Sequence, residues 1–129
     1  MNFSIDDVEG TLIVKLYPSL KAWIEDDGSA WALLRDRLAE RHAGQQFILA
    51  FARGQHDRLA HLAIVYAQIA WLRSSLGIPQ CAIPTPVVFP RPEHCLYTAS
   101  VTGSVVAPFA TEEDALEYVQ KHSDCQHDQ

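Results

Sequence analysis

The segment that most constrains this chain is Phe47-Ile-Leu-Ala-Phe51, an unbroken apolar run between polar stretches. A strand with one wet face alternates apolar and polar residues. A run without alternation fits a strand buried on both faces, inside a sheet covered by helices. Neighbouring segments agree with such a sheet. Gly10 to Leu16 is rich in β-branched and aliphatic residues and reads as a strand that follows an acidic turn. Tyr17-Pro18-Ser19 signals a turn or bulge, Leu20 to Ile24 fits either a short strand or a helical turn, and Asp26-Asp27-Gly28 is a loop. Ser29 is placed to cap a helix from Ala30 to Arg41. There Ala30, Leu34 and Leu38 recur at helical spacing, Trp31 widens the same face, and Gly44 lies just past the end.

Beyond the apolar run, Arg53 to Arg58 is a polar loop in which Asp57 can cap the next helix. That helix spans Leu59 to Leu76 and is apolar almost all round, its polar residues being His61, Gln68, Arg73, Ser74 and Ser75. Such a helix is either central or covered by a partner. Gly77 and Pro79 stop it. Cys81 to Phe89 is apolar, but Pro84 and Pro86 remove ladder donors, which predicts an edge strand or one with an irregular start. Pro90-Arg91-Pro92 is a rigid break, Glu93 to Thr102 a short helix, and Val105-Val106 a short strand. Thr111-Glu112-Glu113-Asp114 has capping-box spacing and opens a helix whose apolar face is Ala115, Leu116 and Val119.

Strands therefore alternate with helices. The expectation is an α/β fold with a mostly parallel central sheet of roughly four to five strands and about four helices. Residues 1–121 are expected to form one domain and 122–129 a flexible polar tail. No internal repeat or low-complexity segment is visible.

Charge and cysteine content narrow the function. The net charge is −6, and the ten Lys and Arg residues are scattered, which disfavours nucleic acid as a partner. The three cysteines, Cys81, Cys95 and Cys125, are odd in number and far apart, so reduced thiols and a cytoplasmic setting are expected. The N-terminal residues show neither the basic nor the apolar region of a secretory signal. The most apolar run, Leu59 to Leu72, is too short for membrane insertion and is interrupted by His61 and Gln68.

The C-terminal third carries a family resemblance. Leu96 to Thr102, Gly103, Val105 to Phe109 and Thr111 to Leu116 give, in order, an aliphatic helix, a Thr-Gly turn, a short strand and a Thr/Glu/Glu/Ala/Leu helix. This pattern resembles the STAS domain, found in bacterial anti-sigma-factor antagonists and in the cytoplasmic tails of sulfate transporters. The resemblance implies a STAS-like α/β architecture across residues 10–120, with Phe47 to Phe51 leading into the regulatory loop. It implies a bacterial signalling module that works by protein–protein contact. Many antagonists carry a phosphorylated Ser at the start of the helix after that strand. Here the matching position reads Asp57-Arg58-Leu59-Ala60, and no Ser or Thr occurs between Ala52 and Arg73. A phosphoserine switch at that place is chemically impossible, so the resemblance implies a divergent, phosphoserine-independent member.

The expected functional surface is the loop residues Arg53, Gln55, His56, Asp57 and Arg58, together with Tyr66 and Trp71 on the following helix. A protein partner or a second copy, as a homodimer, is the expected occupant. The alternative is a small-molecule or anion-binding domain, with Arg53, His56 and Arg58 beside a helix N-terminus at the end of a central strand. The loop holds a single Gly and is no phosphate cradle, so no cofactor is expected. His56 and His61 lack the spacing of a metal pair, and His122, Cys125 and His127 lack a fourth ligand. Cys95 follows His94 directly, and adjacent helical side chains do not face each other, so Cys95 reads as a packing residue rather than a nucleophile. With no nucleophile elbow or paired carboxylates, no enzymatic activity is expected.

Overall fold

Phe47–Phe51 is a strand buried at every position, as its unbroken apolar run predicts. The computed structural model describes residues 2–41, 46–52, 62–79, 82–101 and 105–122, without the side chains of 99–101. The elements are, in order, β1 (Asn2–Val8), β2 (Thr11–Tyr17), α1 (Leu20–Glu25), α2 (Ser29–Arg41), β3 (Phe47–Phe51), α3 (Leu62–Ser75), β4 (Thr85–Val88), α4 (Pro92–Val101), β5 (Val106–Phe109) and α5 (Glu112–Lys121). The five strands lie in sequence order, with β1 antiparallel to β2 and every later pairing parallel. This is the expected mostly parallel α/β sheet, with β3 at its centre.

Consecutive strand order has a consequence for the helices. Right-handed crossovers that always step in one direction place their helices on one face of the sheet. The two cores follow this rule. Leu12, Val14, Leu16, Phe47, Leu49, Phe51, Val87 and Val106 face a large core that also holds Trp23 of α1, Trp31, Leu34 and Leu38 of α2, and Leu62, Val65, Ile69 and Leu72 of α3, with Cys95 and Tyr97 of α4 packed against it. Alternate strand residues, Ile13, Ile48, Ala50 and Val88, face a smaller core closed by Ala115 and Val119 of α5. The layers are four helices, the sheet, and α5.

Several elements differ from the sequence reading. The acidic N-terminal stretch is a strand and a tight hairpin rather than a turn alone. Glu9 and Gly10 both have positive φ, 52° and 87°, as a two-residue hairpin of the I′ type requires. The Gly10 N–H donates to Asp7 Oδ1 at 3.0 Å. Leu20 to Ile24 resolves into helix, because Ser19 caps it by accepting from the Ala22 N–H. That helix raises the number to five.

Ser29 begins α2 as a helical residue, and the capping falls to the two preceding carboxylates. Asp26 Oδ2 accepts from Gly28 and Ala30 N–H at 2.8 and 3.1 Å, and Asp27 Oδ1 accepts from Ser29 N–H at 3.0 Å. Asp26→Ala is therefore expected to cost about 1 kcal/mol, read as a lower urea midpoint at unchanged slope. Asp27→Ala, which acts at a fully solvated group, should cost less; the reverse order would misplace the cap.

The edge-strand expectation for Pro86 is corrected: β4 is internal, paired to β3 and β5. In a parallel strand successive residues address opposite neighbours. The Thr85 N–H bonds to the Val105 carbonyl just before β5, and the Phe89 N–H to the Phe109 carbonyl of β5, so the position of Pro86 addresses β3. Pairing with β3 starts only at Val87, so the missing donor at Pro86 leaves no ladder bond unmade. The final strand is Val106–Phe109 rather than Val105-Val106, and its Pro108 is tolerated on an edge. The helix predicted from Leu59 is described from Leu62. It ends as expected at Gly77, whose φ is 73°, with Gly77 N–H bonded to the Ser74 carbonyl and Ile78 N–H to that of Arg73. Thr111 caps α5, its Oγ1 accepting from the Asp114 N–H at 3.1 Å.

Candidate interaction surface on helix α3

Helix α3 is apolar on both sides, and among the described residues only one side is packed into the core. Leu62, Val65, Ile69 and Leu72 are fully buried against the sheet and its helices. About half a turn round the helix, Ala63, Ile64, Ala67, Ala70, Trp71 and Ser74 form the outer side, all exposed. The two large members, Ile64 and Trp71, are 44% and 43% exposed. The remaining tryptophans, Trp23 and Trp31, are fully buried, so Trp71 alone of the three faces outward.

The outer strip carries no charge, and the reason lies in Arg73. It is the one charged residue of α3. Its Nη1 turns inward, donating to the Ile83 carbonyl at 3.0 Å and to Thr85 Oγ1 at 2.8 Å. Burial pushes its guanidinium below the ordinary arginine value. Arg73 thus fastens the irregular, proline-containing entry to β4 and leaves the strip neutral.

Tyr66 is placed differently from Trp71. It is half-buried, and its hydroxyl lies 2.7 Å from Thr98 Oγ1 of α4. Burial raises its phenol above the usual range, with the Thr98 bond acting in the opposite direction. Tyr66 therefore ties α3 to α4, while Trp71 stands on the outer strip.

The loop residues Arg53, Gln55, His56, Asp57 and Arg58 lie outside the described residues, as do His61, Cys81, Cys125 and His127. The departure point of the loop is described. Ala52 N–H donates to the Leu16 carbonyl at 3.0 Å, and Leu20 N–H donates to the Ala52 carbonyl at 3.3 Å. The chain therefore leaves at the carboxyl edge of the central strand. In open α/β sheets the ligand crevice at that edge forms where strand order reverses and helices diverge to opposite faces. Among the described strands the order never reverses.

His94 is buried, with its ring edge-on to Phe89 at 5.9 Å, and Cys95 packs half-buried against the main core. Burial raises the Cys95 thiol, opposite to what a nucleophile needs. His122 is exposed at the end of α5, its ring 4.6 Å from that of Tyr118. Among the described residues no group of three His, Cys, Asp or Glu side chains is arranged to hold a metal ion. No described helix is long and apolar enough to cross a membrane.

A groove beside β1, lined by Phe3, Ile5, Leu33, Arg37, Glu40 and Arg41, lies outside the residues expected to be functional, because β1 itself was not expected. The available signal was Phe3 and Ile5 alternating with Asn2, Ser4 and Asp6. No family model, no curated protein and no solved structure matches this chain.

Proposed function

We propose that this chain is a non-enzymatic, STAS-like regulatory module that acts by protein–protein binding through the outer strip of α3, a second copy of the chain being the first occupant. The observation that carries this reading is the exposed, uncharged strip centred on Ile64 and Trp71. Large aromatic side chains on neutral patches are the usual anchors of protein interfaces. Neutrality also bears on the occupant. Two copies of a chain with net charge −6 repel, and a two-fold contact places the same patch on both sides. A strip without charge adds no local repulsion to that contact. The absence of Ser and Thr between Ala52 and Arg73 makes the module independent of a phosphoserine in this region.

Trp71→Glu is the direct test. The side chain points outward, so the variant should melt as the parent does at dilutions where both are monomers, and should sediment as a monomer at concentrations where the parent is a dimer. A parent that stays monomeric into the millimolar range would remove the self-association reading. An anion-binding role for Arg53, His56 and Arg58 has less support, because the described strands run in consecutive order and supply no switch point at the carboxyl edge of the sheet. A melting temperature that rises with a phosphorylated metabolite, and no longer does so in Arg58→Ala, would favour that role instead.

A further inference from the structure

A groove of about 440 Å³ runs between edge strand β1 and helix α2, with Phe3, Ile5 and Leu33 as apolar surface and Arg37, Glu40 and Arg41 beside them. Leu33 is 48% exposed there, although it is a large aliphatic residue. Arg37 and Arg41 are one helical turn apart, and among the described residues neither enters an ion pair. Among the described residues that line the groove only Glu40 opposes them, so this patch is cationic on a chain whose net charge is −6.

Among the described residues β1 pairs on one side only, so the strand beside the groove has an open backbone edge there. The Glu9-Gly10 loop closes on the pair Val8–Thr11. Hydrogen-bonded pairs alternate from that point, so Phe3 and Ile5 turn their N–H and C=O groups outward. The same two residues line the groove with their side chains. An extended segment that pairs with β1 would therefore lay alternate side chains into this groove, which is how sheet-edge peptide sites combine affinity with specificity.

We propose that β1 and α2 form a docking site for an extended acidic–apolar peptide of a partner protein, which adds as a strand to β1, rests an apolar side chain on Phe3, Ile5 and Leu33, and carries a carboxylate to Arg37 and Arg41. The charge chooses the peptide: guanidinium groups bind carboxylates through paired, charge-assisted hydrogen bonds. This site is separate from the α3 strip and does not depend on it.

The probe is an acetylated, amidated peptide that alternates Thr with Val and Glu, titrated into the isotope-labelled full chain. Binding should slow amide hydrogen exchange at Phe3 and Ile5, and should be unaffected by Trp71→Glu. Replacing Glu by Lys in the peptide, or combining Arg37→Glu with Arg41→Glu in the protein, should weaken it about tenfold or more. Both arginines are exposed, so the double variant should melt like the parent, and the peptide charge swap reads the same contact in the unaltered protein. A peptide with proline at its central position should lose binding, because it loses a ladder donor. Lack of binding, equal binding of the Lys or Pro peptide, or protection produced by dodecanoate but not by the peptide would each overturn the proposal.

Discussion

Trp31→Ala should lower the unfolding free energy by about 3–5 kcal/mol, the largest loss expected from any single truncation here. Trp31 is fully buried where α2 meets α1 and the sheet. It packs edge-on against Trp23 with ring centroids 5.1 Å apart, and lies 6.4 Å from Phe51 of the central strand. Its indole N–H donates to the Trp23 carbonyl at 3.1 Å, and the Trp23 indole donates in turn to the Tyr17 carbonyl at 3.0 Å. Truncation therefore removes apolar contact, opens a cavity and strands a buried carbonyl. Trp31→Phe separates these effects: most of the ring contact remains, and the lost hydrogen bond should cost about 1–3 kcal/mol. Urea unfolding followed by circular dichroism measures both. A Trp31→Ala loss near that of a surface substitution would mean that α2 is not packed on α1 in this way.

Arg73→Met should cost about 1.5–3 kcal/mol, because two partly buried acceptors lose a charged donor. One Nη1 atom serves both the Ile83 carbonyl and Thr85 Oγ1, and Thr85 is itself buried. Methionine fills much of the same space, so the change reports on the hydrogen bonds more than on packing. The loss should be local as well as global. Pro84 and Pro86 supply no N–H at the entry to β4, so Arg73 is a main restraint on that entry. Amide exchange at Thr85 and Val87 should accelerate before that at Leu49 of the central strand. An unchanged urea midpoint would show that water replaces the guanidinium without cost.

The reach of sequence reasoning followed how local each signal was. Phe47 to Phe51 was fully legible, because a strand buried on both faces must be apolar at every position. The caps and stops at Thr111 and Gly77 were legible because each acts within one turn of chain. Strand β1 was not, since Asp6 and Asp7 look like turn residues until the hairpin at Glu9-Gly10 pairs them with β2. Pro86 misled for a geometric reason: whether a missing N–H matters depends on which neighbour that residue addresses, and the sequence does not show it. For the site, the apolar character of α3 was legible as helix that needs cover. Which side received cover depended on tertiary packing, which buried Leu62, Val65, Ile69 and Leu72 and left Ile64 and Trp71 outside. The separation of Tyr66 from Trp71 likewise required knowing that Thr98 lies beside α3.

Sedimentation velocity across a concentration series, run on the parent chain and on Trp71→Glu side by side, tests the α3 surface most directly. The parent should shift from monomer to dimer as concentration rises, and Trp71→Glu should remain monomeric throughout, melting as the parent does at dilutions where both are monomers. A parent that sediments as a monomer at every concentration, or a Trp71→Glu chain that dimerises as the parent does, would contradict it.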